Sequence, residues 1–291
     1  MPFKNKLILL LIFCIGLFFR LYGLNWDQGQ HLHPDERFLT MVAADIKLPN
    51  SISQYFDTAT SPLNPGNYPN YQFFVYGTFP LFLTKIFAVI FHIDNYENIV
   101  LVGRFLSAFF DAGIIIILYK LTKKYLTSIL YATTVLPIQL SHFFAVDTFL
   151  NFFILLTFYL LIKKRFAFAG VSFGLALACK ISALYFLPII ILFLITKFHK
   201  NIFKLFLVSG YLFLVTFLTF HLFQPYIFDG LFKLNPLFVN NIKQLEIMSS
   251  PNNNFPPAIQ WINKIPLQRS ALNLVFFGLG LPLSLLFILS L

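Results

Sequence analysis

Apolar runs of about twenty residues recur along the chain and constrain its fold more than any other feature. The first covers residues 6–24, and further runs follow as far as the last residue. A helix needs about 20 apolar residues to cross a bilayer core about 30 Å thick. Hydrophobic residues make up 58% of the chain and charged residues only 11%, which excludes an ordinary soluble domain. The sequence therefore predicts an all-α integral membrane protein.

Basic clusters predict the orientation of these runs. Each cluster ends an apolar run and has no acid near it, which is typical of cytoplasmic loops. The run 100–119 ends in the first cluster, so it must start outside. The preceding apolar segment, 73–93, then cannot cross the membrane, and Lys85 and Pro80 within it also disfavour a crossing. We predict an interfacial helix there. The clusters are Lys120, Lys123 and Lys124; Lys163, Lys164 and Arg165; and Lys197, Lys200 and Lys204.

The alternating runs predict one GT-C-like membrane domain, residues 1–291, with about eight transmembrane helices and large external loops. The N-terminus is expected in the cytoplasm, the first span uncleaved and the membrane a plasma membrane. The run 166–198 is expected to form a hairpin near residues 180–182. A final apolar run that ends the chain suggests a truncated reading frame. The predicted segments are the first span 6–24, an external loop 25–99, six spans within 100–223, a second external loop 224–270 and a last span 271–291.

Several function classes lack their signals in this sequence. Cys14 and Cys179 lie far apart inside apolar runs, which predicts buried hydrophobes and no disulfide. In a membrane protein the position of the basic residues along the chain matters more than their sum. The net charge of +10 therefore does not indicate nucleic-acid binding, and we expect no nucleic-acid partner. There is no glycine-rich nucleotide loop, no G-x-S-x-G elbow and no H-E-x-x-H pair.

A dense polar stretch at residues 31–37 follows the first span. It holds two histidines, the adjacent acids Asp35 and Glu36, and Arg37, in a chain with only 11 acids. Such carboxylates suit general-base work on a hydroxyl acceptor. The alternative is a solvated loop with a helix N-terminus at residues 34–36, where acids are favoured. A metal held by His31, His33 and Asp35 is a weaker alternative, so we expect no metal and no cofactor.

Four further ionisable residues fall in or beside predicted spans and are functional candidates for that reason. Arg104 and Asp111 lie two turns apart on one helix face, Asp147 follows a break at an outer turn, and Lys180 lies at the outer end of the hairpin. Arg104 and Lys180 suit a lipid-linked phosphate. The alternatives are snorkelling for the two cations, a helix-pairing role for Asp111 and a helix-start role for Asp147.

The order of these features resembles the N-terminal module of GT-C membrane glycosyltransferases, in particular glycosyltransferase family 39, the protein O-mannosyltransferases and related aminoarabinose transferases. The resemblance covers about residues 6–230, and its motifs come in family order. They depart from the family at Pro69-Asn70, where family members have Pro-Pro, and family members are much longer. The motifs are RLYG at 20–23, DERF at 35–38, NYPNY at 67–71, RFLSA at 104–108, the segment from Pro137 to Asp147, and Lys180.

The resemblance implies transfer of a sugar, mannose-like or another hexose or pentose, from a polyprenyl-phosphate donor to a protein, glycan or lipid hydroxyl. The reaction would take place on the outer face of the membrane, with inversion. It assigns Asp35 as the base with Glu36 in support, and gives Arg104 a donor-phosphate or structural role. Residues expected around the donor cavity are Lys180, Asp147 and His142, and those expected in support are His33, Arg37, Asp111 and Tyr226.

Two other functions stay open at this point. One is a transporter or lipid-binding membrane protein, although no internal repeat is visible and the acids lie outside the midplane. The other is a catalytically incomplete fragment with the same scaffold, which the apolar end at Leu291 suggests.

Overall fold

The computed structural model describes residues 3–250, 255–260, 262, 264–265 and 267–289. These residues form no strand and only one isolated β-bridge, between Phe228 and Leu234. The helices are α1 (Phe3–Leu21), α2 (Pro34–Asp45), α3 (Ile52–Phe56), α4 (Thr78–Ile90), α5 (Tyr96–Thr122), α6 (Tyr125–Thr133), α7 (Val135–Ser141), α8 (Val146–Ile162), α9 (Phe166–Cys179), α10 (Leu187–Phe198), α11 (Ile202–Phe223), α12 (Pro236–Met248), α13 (Pro256–Ile259), α14 (Gln268–Asn273) and α15 (Leu281–Leu289). Short 3₁₀ turns lie at Pro65–Asn67, Pro69–Tyr71, Ile181–Phe186 and Pro225–Ile227, and a π-helix at Leu274–Leu279.

Three helical segments are long and apolar enough to cross a membrane: Tyr96–Thr122, Ile181–Phe198 and Ile202–Phe223. A fourth is obtained if Gln268–Leu279 and Leu281–Leu289, which meet at 114°, are counted as one broken span. The chain is thus all-helical in its described residues, with three to four candidate membrane-spanning helices. The sequence predicted about eight.

Breaks within two apolar runs account for part of that difference. The run expected to cross at 126–142 is split at Thr134, which has an extended backbone between α6 and α7. Pro137 follows in the first turn of α7 and lacks the N–H that a continuous helix would use. The last run bends at Gly280, where φ is +76°, a conformation that glycine adopts without steric cost.

Helix α9 lies at the centre of one half of the bundle, between α8 and α11. A Cβ atom on Gly170 would lie 2.8 Å from the Leu212 carbonyl oxygen of α11. One on Gly174 would lie 2.7 Å from the Thr216 carbonyl oxygen. This pair of glycines four residues apart therefore lets two helix backbones approach closely, as small residues do between membrane helices.

The bundle has two chemically different ends. At one, which we call the lysine end, the ammonium groups of Lys120 and Lys163 lie 6.0 and 5.8 Å from the ring centroid of Tyr159. Lys204 lies 5.7 Å from the ring of Phe198, which itself contacts Phe166. Helices α5, α8 and α10 end there, and α9 and α11 begin there. The structure therefore brings the three basic clusters to one end of the bundle.

Helix α4 has 13 residues, too few to cross a bilayer core at a rise of 1.5 Å each. Its Lys85 is buried, and its ammonium contacts the Ala44 carbonyl oxygen at 3.2 Å and the Asp94 carboxylate at 3.4 Å. The Lys85 ammonium therefore has hydrogen-bond partners in α2 and in the loop before α5. The interfacial placement of α4 itself stays a prediction.

Candidate functional site

Arg104 is the centre of a fully buried ion cluster at the end of the bundle opposite the lysines. Its guanidinium pairs with the Asp27 carboxylate at 3.0 and 2.8 Å and with the Glu36 carboxylate at 2.8 and 2.7 Å. The fifth N–H donates to the Leu24 carbonyl oxygen at 2.9 Å. All five donors are thus engaged, so no N–H remains for a phosphate. The structural role, one of the two expected for Arg104, fits this geometry. We call Arg104, Asp27 and Glu36 the buried cluster.

The start of α2 explains why adjacent acids have different surroundings. His33 caps the helix through Nδ1, which accepts from the Glu36 N–H at 3.3 Å, and Pro34 takes the first helical position. Successive helical residues point about 100° apart. Glu36 therefore points into the protein, where it also accepts from the Phe144 N–H at 2.7 Å, and Asp35 stays exposed.

The Arg104 guanidinium keeps Asp27 ionised. Its hydrogen bonds lower the pKa of the Asp27 carboxyl to about 2, against the opposing effect of burial. The indole of Trp26 also lies against the guanidinium, with its ring centroid 5.4 Å from Arg104 Cζ. The buried cluster therefore fixes residues 24–27 and the first turn of α2 to α5.

A second, open group of charges lies at the same end. Lys180 Nζ and Asp147 Oδ1 are 2.9 Å apart, and their side chains are 39% and 44% exposed. Asp147 stands in the first turn of α8, and Lys180 follows the last residue of α9 with an extended backbone. The helical run is broken at Lys180, within the segment where the sequence predicted a hairpin.

Tyr76 joins this group because the loop before α4 lies directly against the end of α9. The Gly77 N–H donates to the Cys179 carbonyl oxygen at 2.9 Å. A Cβ atom on Gly77 would lie 2.1 Å from the Ala178 carbonyl oxygen, so only glycine permits the approach. Gln224 secures the same loop by accepting from the Thr78 N–H and hydroxyl.

The Tyr76 phenol lies within electrostatic reach of both Asp35 and Asp147. Burial raises the pKa of Tyr76, and so does the proximity of its hydroxyl to the carboxylates of Asp35 and Asp147. The phenol therefore stays protonated at neutral pH, close to the Asp35 carboxylate. We call Asp35, Tyr76, Asp147 and Lys180 the open cluster.

The sequence analysis missed Tyr76. It is one of 13 tyrosines, and only its position before Gly77, at the start of an apolar helix, distinguishes it. Asp35, Asp147 and Lys180, which the sequence did single out, are separated by up to 145 residues, yet the fold brings them together.

An apolar cavity of about 600 Å³ runs along α8 from Thr148, the residue that follows Asp147, and Asp111 and Tyr131 also line it. It follows one face of α8 from Thr148 through Asn151 to Phe158, and Asp147 lies on the same face one turn before Asn151. The cavity extends about 15 Å along the helix at a rise of 1.5 Å per residue. Its volume lies in the range typical of small-molecule sites. The cavity is therefore a mostly apolar cleft that starts one residue after Asp147 on the same helix.

Two other predicted site residues, Asp111 and Tyr226, have structural hydrogen-bond partners, although Asp111 also lines the cavity. Asp111 pairs with Arg20 Nε at 2.5 Å and accepts from the Tyr131 hydroxyl at 2.7 Å, which ties α5 to α1 and α6. This is the helix-pairing role left open for Asp111. Tyr226 shares a 2.7 Å hydrogen bond with the Ser61 hydroxyl and so joins the two large loops.

The remaining candidates also lie outside the open cluster. The two ring nitrogens of His142 contact backbone oxygens, that of Ile138 at 2.7 Å and that of Tyr22 at 2.9 Å. His33 caps α2 with its ring 4.5 Å from that of Phe143, and Arg37 is exposed on α2.

The described residues contain no group of three or more His, Cys, Asp or Glu side chains placed to hold a metal ion. The ring of His31 lies against Tyr96 at 4.3 Å, whereas that of His33 lies against Phe143.

Comparisons with family models, curated proteins and solved structures find no match to this chain. The resemblance to GT-C glycosyltransferases therefore stays a prediction that rests on the order of the motifs.

Proposed function

We propose that this protein is a membrane glycosyltransferase that moves a sugar from a polyprenyl-phosphate donor to a hydroxyl acceptor, with inversion. One observation carries the proposal: the Asp147–Lys180 pair lies at the start of α8, and an apolar cavity of about 600 Å³ runs along the same helix from Thr148. A lipid-linked sugar phosphate needs both parts, an apolar cleft for the polyprenyl chain and charged groups for the phosphate and the reacting oxygen.

Asp35 is the proposed base. Its carboxylate takes the proton of the acceptor hydroxyl while that oxygen attacks the anomeric carbon of the sugar. The bond from the anomeric carbon to the phosphate oxygen breaks, and the polyprenyl phosphate leaves with the electron pair. Two features support this role: Asp35 is exposed, and the protonated Tyr76 hydroxyl lies close to it.

Lys180 is the residue proposed to stabilise the departing phosphate. Its ammonium is partly exposed and has one carboxylate partner, Asp147, so it retains N–H donors for an anion. Asp147 holds the ammonium at the start of α8, one residue before Thr148, which lines the cavity. A positive charge placed where negative charge develops stabilises the transition state.

The proposed topology places the open cluster on the outer face of a plasma membrane and the lysine end in the cytoplasm. Eight crossings require that α1, α6 with α7, α8, α9 and the bent pair Gln268–Leu279 with Leu281–Leu289 also span, although none of them is among the three segments that are long and apolar enough on their own. A cysteine-accessibility scan with a membrane-impermeant maleimide tests the topology. Labelling at position 57 and protection at position 123 in intact cells are expected, and the reverse would refute it.

The test of function is a transfer assay with radiolabelled polyprenyl-phosphate sugars and the membrane-embedded full chain. We expect labelled product from one donor, and a loss of about 10²- to 10⁴-fold in Asp35→Asn. Glu97→Gln is the matched control, because Glu97 is also an exposed first-turn acid. Product formation that is equal in Asp35→Asn and wild type would refute the assignment.

A lipid-binding protein without transferase activity is the second candidate, since the apolar cavity alone would suffice for it. Photocrosslinking with a polyprenyl-phosphate probe separates the two. Crosslinking to α8 without transfer from any donor tested would favour the binding protein.

A further inference from the structure

A second apolar groove lies on a different face of α5 and α8 from the cavity of the proposed site. It has a volume of about 300 Å³ and is lined by aromatic and aliphatic side chains of α1, α5 and α8, including Phe13, Phe110, Phe152 and Leu156. Gly113 forms part of its wall, and a Cβ atom there would lie 2.7 Å from the Phe152 ring. From Phe109 to Lys120 it follows α5 for about 16 Å.

The groove ends in positive charge. Lys120 lines it at the lysine end, and Lys120 and Lys163 approach the same Tyr159 ring from two different helices. Both lysines are exposed, and within the described part of the chain neither forms an ion pair with a carboxylate. Lys123, Lys124, Lys164 and Arg165 add further positive charge beside them.

We propose that this groove binds one anionic phospholipid of the leaflet at the lysine end. One acyl chain lies along the groove, and the phosphate lies between the ammonium groups of Lys120 and Lys163. Charge complementarity commits the site to an anionic headgroup. The apolar groove that continues from Lys120 favours a lipid over free phosphate, because a free anion would leave it uncovered.

Lipid-dependent fluorescence quenching in the full chain tests the proposal without any transfer assay. Phe109→Trp places a reporter in the groove, and its signal is read as the difference from wild type, which has two tryptophans. We expect bromine-labelled phosphatidylglycerol to quench this tryptophan at lower mole fraction than bromine-labelled phosphatidylcholine. Equal quenching by the two lipids would refute a selective anionic site.

Charge variants test the headgroup contacts. In the reporter background, Lys120→Gln with Lys163→Gln should weaken the apparent phosphatidylglycerol affinity about tenfold. Lys197→Gln with Lys200→Gln removes the same charge from the same end and should leave the affinity near that of the reporter alone. Equal weakening by both pairs of substitutions would mean that the lipid is attracted only by the overall basic charge of this end, which would contradict the proposal.

A competition arm separates the lipid from free phosphate. Inorganic phosphate at constant ionic strength should not displace the brominated phosphatidylglycerol. Displacement at millimolar phosphate would identify an anion site that does not need the groove. Native mass spectrometry of the purified chain provides a second readout, in which a retained phosphatidylglycerol is expected in wild type and absent in the Lys120/Lys163 double variant.

Discussion

The buried cluster and the open cluster contain similar charged groups at the same end of the bundle but are arranged in opposite ways. Around Arg104, two carboxylates occupy the whole guanidinium, and Arg104 and Glu36 are 0% exposed. Around Lys180, one carboxylate contacts one ammonium, and both side chains are more than a third exposed. The Arg104 guanidinium therefore has no free N–H donor for a ligand, whereas the Lys180 ammonium retains donors for an anion.

Asp35 and Glu36 allow the most direct comparison, because they are neighbours in one helical turn and belong to different clusters. Removing one partner of a buried ion pair strands the other charge, while an exposed residue can change with little cost to the fold. We therefore expect variants of the buried cluster to affect stability and variants of the open cluster to affect chemistry.

The largest expected effect is on the buried cluster. Arg104→Met leaves the Asp27 and Glu36 carboxylates buried without a partner and should lower the free energy of unfolding by about 3–5 kcal/mol. Thermal unfolding in detergent measures the change. Arg37→Met, which removes an exposed arginine from the same part of the chain, should unfold like wild type. Equal stability of the two variants would contradict the structural role of Arg104.

Lys180→Gln should lower the transfer rate by about 10²- to 10³-fold, because it removes the charge that we propose stabilises the departing phosphate. Its melting temperature should stay close to that of wild type, since the pair with Asp147 is exposed. The control is Lys233→Gln, which breaks a comparable exposed lysine–aspartate pair at 2.8 Å. A rate for Lys180→Gln equal to that of the control would exclude a role for Lys180 in the reaction.

The next expected effect, of intermediate size, is a pH dependence of the stability that the buried cluster contributes. The folded-state pKa of Asp27, about 2, lies below its ordinary value of 3.8, so its contribution is complete above about pH 4 and is lost as the pH falls towards 2. That contribution is about 2 kcal/mol at 1.36 kcal/mol per pKa unit. The stability difference between wild type and Asp27→Asn should shrink over this range. A difference that is constant from pH 6 to pH 2 would contradict it.

The smallest expected effect concerns Tyr76. Tyr76→Phe removes a hydroxyl close to the Asp35 carboxylate and should lower the transfer rate about tenfold, the effect expected if the two groups form one hydrogen bond during the reaction. Tyr185→Phe, at an 87% exposed tyrosine, should have no effect. An unchanged transfer rate in Tyr76→Phe would exclude a role for Tyr76 in the reaction.

The helical class, the break at Lys180 and the gathering of the basic clusters followed from local patterns in the sequence. Apolar run length and lysine position carry that information without any knowledge of packing. The breaks at Thr134 and Gly280 were not anticipated, because hydropathy is continuous across both and the signals are one proline and one glycine.

The candidate site was predictable only in part. Asp35, Asp147 and Lys180 were identified because charged residues are rare in this chain. The partners of Arg104 were not, because Asp27 is 77 residues away and nothing local links them. Tyr76 depends on the close approach that Gly77 permits, which is a property of the packed structure.

The most direct test of the division between the two clusters compares the melting temperatures of Asp35→Asn and Glu36→Gln in one detergent preparation. Glu36→Gln disturbs a buried pair and should lower the melting temperature by about 5 °C, at roughly 2–4 °C per kcal/mol. Asp35→Asn changes an exposed side chain and should stay within about 1 °C of wild type. Equal melting temperatures, or a larger loss in Asp35→Asn, would contradict the division.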